Sequence, residues 1–325
     1  MEAKSPRVVV VGGSLVDMAI RCGQVPSPGQ TVAGSGLSYT ATGPGPNQAA
    51  EAALCGCQVH LISKVGTDPF GQMAKDSLAE FDINTDFVYT ARAKNTGIVV
   101  TLVNAEGENA GCIFTGANSA LTAHEIDCAE QIICDADVCL IHGRLPQDAI
   151  IAAIRCAKTH GTPVVLDPSR PIEAPLSATS PNAVLPVEYF SVDVLTSNLY
   201  EAADITDLSM PASTRRETAK LIGSDLVARG VGAVVITMGR RGCMVVDRNS
   251  ADHIPAFEIE LVDHTGTGDA FAGAMAACYA VNKDVREAVK FASAAGALAC
   301  TKFGSIEALP TKAEIIELLQ KEDTE

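Results

Sequence analysis

Between Asp263 and Asp269 the chain reads Asp263-His264-Thr265-Gly266-Thr267-Gly268-Asp269, and a run of small apolar residues from Ala270 to Cys278 follows. Two glycines flanking a threonine at the start of a helix leave free backbone N–H groups converging on one point, and that point attracts phosphate. Glycine suits the position because a Cβ would hold an anion off the backbone and because positive φ is open to it. Asp269 then falls on the first helical turn, beside the anion, where a carboxylate can take the proton of an attacking hydroxyl. The same spelling also suits a plain turn with Asp269 capping the helix.

Further candidates lie upstream. Val8-Val9-Val10-Val11-Gly12-Gly13 reads as a buried strand entering a tight turn, with Asp17 just beyond its end. Open α/β sheets bind ligands outside the carboxyl ends of their strands, so Asp17 is placed to meet a substrate; turn formation is its alternative. Gly43-Pro44-Gly45-Pro46-Asn47 breaks into a helical stretch from Gln48 to Leu54. Asn47 therefore stands at a helix N-terminus, able to cap it or to face a ligand hydroxyl. Asp167-Pro168, Asn198-Leu199-Tyr200-Glu201 and Gly239-Arg240-Arg241-Gly242 each follow a predicted strand, which gathers the candidates along one edge of a sheet. Gly12-Gly13 lacks the spacing of a dinucleotide fingerprint, and no Lys-Ser or Lys-Thr pair completes a P-loop.

The elements that must hold these residues follow from hydropathy. Val8 to Val11, Val59 to Val65, Val138 to Ile141, Pro163 to Leu166, Val192 to Thr196 and Ala233 to Met238 are short apolar runs suited to central parallel strands. Phe257 to Val262 alternates apolar and acidic residues and predicts a further strand leading into the glycine turn. Helices are predicted from Gly71 through Phe81, over Ala149 to Thr159 and over Thr214 to Arg229. Steady alternation of strand and helix from Ala136 onward is what a doubly wound α/β sheet, mostly parallel with helices on both faces, requires. Val25 to Thr42, Thr96 to Asn104 and Gly111 to Thr115 look instead like exposed strands, the last two joined by Glu106-Gly107-Glu108-Asn109. They predict a small β-sheet lid over about 18–42 and 95–117 of a single 1–325 domain; surface hairpins are the alternative. Lys321 to Glu325 read as a frayed tail.

Composition excludes several classes. A chain of 325 residues that is 47% hydrophobic and only 4% aromatic can bury a large aliphatic core. A net charge of -15 disfavours nucleic acid and anionic membranes as partners, while backbone dipoles can still bind a small anion locally. Eleven cysteines without a CxxC pair read as reduced, core-filling thiols of a cytoplasmic protein, and the six histidines show no metal-ligand spacing with them. Lys4 and Arg7 precede an apolar run, but Asp17 ends it too soon for a secretion signal, and no uncharged stretch is long enough to span a bilayer.

The chain resembles the ribokinase-like (PfkB) carbohydrate kinases over nearly its whole length. Asp263 to Phe271 is similar to that family's C-terminal signature, Asp-Thr-x-Gly-Ala-Gly-Asp-x-Phe, and Gly43 to Ala49 resembles its N-terminal signature, in which Gly-Gly-Lys-Gly-Ala-Asn is common. The resemblance implies that Asp269 is the base that deprotonates a sugar hydroxyl as it attacks the γ-phosphate of ATP, with Gly266, Thr267 and Gly268 as the anion hole. It implies sugar contacts at Asp17, Gly43 and Asn47, work near the phosphates and Mg²⁺ at Asn198 and Glu201, and nucleotide contacts at Thr237, Gly239, Gly242 and Ser293. Asp263, Thr265, Ala299, Lys302 and Gly304 occupy the places at which relatives hold a monovalent cation such as K⁺, mostly through carbonyls.

Departures bear on the acceptor. Leu15 stands where ribokinases usually carry Asn, Arg144 where they carry Glu, and Pro44 and Pro46 replace the usual Lys and Ala. Each buried hydroxyl partner left unpaired costs about 1–3 kcal/mol, which argues against ribose. Arg144 could pair with a carboxylate or phosphate of the acceptor, or be a solvated arginine after a strand. The expectation is an ATP-dependent kinase of a small sugar or polyol. A nucleoside kinase of the same fold and a non-catalytic sugar or nucleotide sensor are the alternatives, and exposed lid strands could pair two copies into a homodimer.

Overall fold

The computed structural model describes residues 5–105, 108–169, 185–206, 208 and 214–322. Its strands in chain order are β1 (Arg7–Val11), β2 (Leu15–Cys22), β3 (Gly34–Thr42), β4 (Gln58–Gly66), β5 (Val88–Ala91), β6 (Gly97–Val103), β7 (Asn109–Phe114), β8 (Val138–His142), β9 (Val164–Asp167), β10 (Val194–Asn198), β11 (Ala233–Thr237), β12 (Cys243–Asp247) and β13 (Ala251–Ile254). The helices are α1 (Pro44–Leu54), α2 (Pro69–Ala79), α3 (Ala123–Asp127), α4 (Glu130–Cys134), α5 (Gln147–His160), α6 (Leu199–Thr206), α7 (Arg215–Arg229), α8 (Thr267–Asn282), α9 (Val285–Ala299) and α10 (Lys312–Glu322). Among the described residues, nine strands form one sheet in the order β13-β12-β11-β10-β9-β8-β1-β4-β5. It is parallel from β5 through β11, and β12 and β13 add an antiparallel edge.

Period-two alternation divides each central strand between two cores. Val8 and Val10 pack with α1, α2, α8, α9 and α10 on one face, while Val9 and Val11 pack with α3 to α7 on the other. Burying such a side chain is worth about 2 kcal/mol, so a charge at Val9 or Val10 would open one core or the other. Strand alternation and both-face helices thus match the doubly wound sheet expected from the sequence.

The second sheet has four strands among the described residues, in the order β3-β2-β6-β7. Residues Gly34 to Tyr39 of β3 are exposed, as expected of a lid. It starts at Leu15, however, and Val25 to Ala33 hold no strand. Glu106 and Gly107 of the connecting turn and residues 323–325 of the tail lie outside the described residues, and the helix before them continues to Glu322.

Two expectations need correction. Phe257 to Val262 is not a strand: the antiparallel edge is already built, with β12 lying between β11 and β13. The alternation records Phe257 entering the core beside exposed Glu258 and Glu260, and the Val262 and Asp263 amides turn instead to the Cys300 carbonyl at 2.9 and 3.2 Å. Asp17 is not in the turn after β1 but within β2, paired between Thr40 and Val99 in the lid.

One close helix crossing positions the site. A Cβ on Gly273 of α8 would lie 2.5 Å from the Gln48 carbonyl oxygen and 2.7 Å from the Glu51 Cβ. Glycine there lets α1 lie against α8, which brings the amides of Asn47 and Gln48 to the head of α8.

Candidate active site

The glycine turn does what its spelling requires. Gly266 takes a left-handed φ of 73° and precedes Thr267, the first residue of α8, so Asp269 lies in the first turn. No side chain caps this helix, which removes the capping role for Asp269. Its carboxylate instead accepts hydrogen bonds from Asn47 Nδ2 (2.9 Å, to Oδ2) and Gln48 Nε2 (3.2 Å, to Oδ1). An ideal Cβ on Gly268 would meet no atom within 4 Å, so the space beside Gly268 is open, while the Thr267 amide donates a long bond to the His264 carbonyl at 3.4 Å. An anion can therefore approach the backbone at Gly268.

Asn47 sits on the fourth residue of α1, because that helix begins at Pro44 rather than at Gln48. A Pro at N1 lacks only an N–H that the helix could not use, which is why the helix starts early. The Asn47 amide is thus free of capping: Thr42 donates its hydroxyl to Asn47 Oδ1 at 3.2 Å, leaving Nδ2 for Asp269. Gln48 is fully buried and its Nε2 bridges two acids, reaching Asp167 Oδ2 at 3.2 Å as well as Asp269.

Asp167 ends β9 and His142 ends β8, at the carboxyl edge of the sheet. The Arg144 amide donates to His142 Nδ1 at 3.2 Å, so the ring proton belongs on Nε2, 4.0 Å from Asp167 Oδ2. Burial, with Arg144 nearby, pushes His142 down to about 3, so the ring is neutral. Asp167 is pushed well above the usual carboxylate range by burial and then by the charges of Glu201 and Asp269, with Arg144 and the Gln48 hydrogen bond opposing. Burial likewise raises Asp269 to about 6, against the hydrogen bonds from Asn47 and Gln48 and the charge of Arg144. A base poised near neutrality in a cleft is what proton abstraction from an alcohol needs.

These groups share a cleft of about 250 Å³ whose lining includes Arg144, Asp167, Asn198, Glu201, Thr237, Gly268 and Asp269. Asn198 and Glu201 meet at the start of α6: Asn198 Oδ1 accepts from the Glu201 amide at 3.0 Å, and Glu201 Oε2 accepts from the Asn198 amide at 3.4 Å. Gly43 precedes α1, and Leu15, Pro44 and Arg144 line a small adjoining cavity under the lid. Asp17 lines neither space; it lies two residues along β2 from Leu15, on the same face, with its Oδ1 accepting the Thr101 hydroxyl at 2.8 Å. Gly239 and Gly242 form the turn between β11 and β12, and Ser293 sits on α9 with Oγ 3.3 Å from Cys243 Sγ; none of the three lines the cleft.

The cation positions divide similarly. Asp263 Oδ1 accepts from the Thr265 amide (3.0 Å) and hydroxyl (2.8 Å), and Oδ2 accepts from the Gly304 amide at 3.2 Å. These bonds outweigh burial and hold Asp263 below its ordinary value. Ala299 ends α9 and its carbonyl accepts from the Lys302 amide, while the Lys302 ammonium turns away to Glu314 at 3.1 Å. Among the described residues no group of three or more His, Cys, Asp or Glu is arranged to hold a metal, and no helix is long and apolar enough to cross a membrane.

Comparison with known proteins gives the class: a phosphotransferase with an alcohol group as acceptor. Residues 5–312 match the pfkB family of carbohydrate kinases, and the chain belongs to that family. It is 30% identical over 313 residues to a ribokinase of Bacillus subtilis, covering 96% of this chain and 99% of that one. To a deoxyribokinase of Salmonella typhi it is 28% identical over 313 residues, covering 96% and 98%. The ribokinase of Arabidopsis thaliana, solved with ribose and ATP, superposes with a TM-score of 0.87 at 25% identity, covering 98% and 99%.

Proposed function

We propose that this carbohydrate kinase moves the γ-phosphate of ATP directly, in line, to a hydroxyl of a small sugar or sugar-like polyol. The observation that carries the reading is Asp269, held by two amides at the head of α8 beside the open backbone of Gly268 and facing a cleft. Ionised Asp269 takes the proton of the attacking hydroxyl, and the Gly266 to Gly268 amides steady the negative charge on the phosphoryl oxygens. Asn47 keeps the base oriented toward the acceptor while Gly43 and Asp17 meet its other hydroxyls, Asp17 from the lid. The complex of the Arabidopsis relative with ATP supports the nucleotide, for which Thr237, Gly239, Gly242 and Ser293 provide the far end of the site.

Glu201 and Asp167 face the cleft with Arg144 as the one Lys or Arg among the described residues of its lining, a charge balance that fits Mg²⁺ held by Glu201 and Asn198. When bound, Mg²⁺ neutralises phosphate charge. K⁺ fits the Asp263, Thr265, Ala299, Lys302 and Gly304 loop, where Asp263 supplies an ionised carboxylate. The exposed Leu37, Tyr39 and Phe114 of the lid are the surface for a homodimer. Among the described residues Phe271 is the sole Phe, Tyr or Trp in the cleft lining, which favours a sugar over a nucleobase. Phosphate transfer from ATP to ribose, fructose, 2-keto-3-deoxygluconate, inositol and adenosine tests the reading. Transfer to adenosine alone, or to none while ATP still binds, would refute it.

A further inference from the structure

The acceptor-side departures Leu15 and Arg144 converge in space. The cavity under the lid is lined by Leu15, Pro44 and Ile113 together with Arg144, and Arg144 also lines the cleft that holds Asp269. Asn118 in the same wall has its amide committed to both backbone atoms of Ser14 and to the Thr115 carbonyl. No described residue gives the Arg144 guanidinium a hydrogen bond or an ion pair; only its backbone amide is engaged, by His142. A half-buried guanidinium with no hydrogen bond or ion pair to any described residue is unusual in a chain of net charge -15, since more than enough carboxylates exist to pair it.

Acceptor binding beneath the lid would desolvate that charge. A neutral sugar offers only hydroxyls in exchange, whereas a carboxylate returns a bidentate, charge-assisted pair matched to the guanidinium fork. Negative charge on the acceptor would otherwise be repelled by Asp167, Asp269 and Glu201, and among the described residues Arg144 is the only Lys or Arg lining the cleft to offset them. The cavity beside Arg144 measures about 10 Å³, room for one water-sized group, so one oxygen of a planar carboxylate can enter it where the broader tetrahedral head of a phosphate ester cannot.

From this geometry we infer that the acceptor is a sugar acid whose carboxylate is bound by Arg144 against the apolar wall of Leu15, Pro44 and Ile113. The inference rests on the kinase reading for the word acceptor, but the binding site stands on its own. Equilibrium binding and turnover of ribose, glucose, glucuronate, 2-keto-3-deoxygluconate and ribose 5-phosphate are measured on the full chain and on Arg144→Gln and Arg144→Lys. At least one acid binds about tenfold or more tighter than either neutral sugar. Arg144→Gln lowers the acid-to-neutral affinity ratio by about 10²-fold, the loss of a charge-assisted pair, and Arg144→Lys restores part of it. Tighter binding of ribose or glucose, a lead for ribose 5-phosphate, or an equal loss for acid and neutral sugars in Arg144→Gln would overturn the inference. So would a larger rise in the Kd of ATP than in that of the acid. Acid binding that depends on Arg144 without phosphate transfer would refute the kinase reading and leave the acid site standing.

Discussion

Replacing Asp269 by Asn should make the protein more stable at neutral pH while disabling it. The native carboxyl is raised from 3.8 to about 6, chiefly by burial. A group whose folded pKa lies above its unfolded value stabilises most below the unfolded pKa, and that stability is lost as pH rises through the folded pKa. For Asp269 the loss runs from about pH 4 to about pH 6, and at roughly 1.4 kcal/mol per unit it approaches about 3 kcal/mol. Partial exposure of the carboxylate reduces this to about 1–2 kcal/mol. The Asn side chain keeps the shape. Its NH₂ would face the Asn47 NH₂, but the Asn47 amide can turn over because its neighbour, the Thr42 hydroxyl, donates or accepts equally and is backed by Ser305 Oγ at 2.9 Å. Thermal melts of both proteins at pH 3.5 and pH 8 should nearly coincide at the lower pH, below the unfolded pKa, with the Asp269→Asn variant melting a few degrees higher at pH 8. Equal melts at both values would mean that the carboxylate is well solvated, and the reasoning about a raised base would fail.

Three further perturbations are specific. Gly268→Ala meets no atom within 4 Å, so the melting temperature should hold within about two degrees; its methyl covers the amides, and kcat/KM should fall about 10²-fold. Gly273→Ala forces α1 from α8 and should cost about 1–3 kcal/mol, with kcat falling as Asn47 and Gln48 shift from Asp269; unchanged stability would disprove the close crossing. Glu51 is fully buried, with Oε2 unpartnered, and is raised to about 8 by burial, so native stability should decline from the ordinary carboxylate range up to about pH 8. Glu51→Gln should flatten that decline and gain about 2 kcal/mol at pH 8.5, read from urea denaturation.

Local spelling revealed the parts of the fold that are set locally. Val8 to Val11 and the runs near 138, 164, 194 and 233 are apolar on both faces because both faces are covered, and each is a parallel strand. Gly266 needed a left-handed φ, and its neighbours announced it. Phe257 to Val262 misled because alternation reports burial, not a free sheet edge. The short β5, β12 and β13 escaped notice for a related reason: four- and five-residue strands carry little periodicity. In the site, Asp269 and Asn47 could be singled out from their turns, but Gln48 could not. It looks like one more residue of an alanine-rich helix, and its task emerges only when α8 and the end of β9 bring two carboxylates to it across 221 and 119 residues. The sequence signal was faint but present: three polar residues, Asn47, Gln48 and Glu51, on a helix that is buried from Gly45 to Ala52.

The central claim is that Asp269 removes a proton from the acceptor at the mouth of a ring of main-chain donors. Steady-state kinetics of Asp269→Asn, with ATP affinity measured by calorimetry on the same preparation, tests it most directly. Turnover should fall by about 10²- to 10⁴-fold while the Kd of ATP stays within about threefold. Near-normal turnover, or a loss matched by an equal loss of ATP binding, would contradict it.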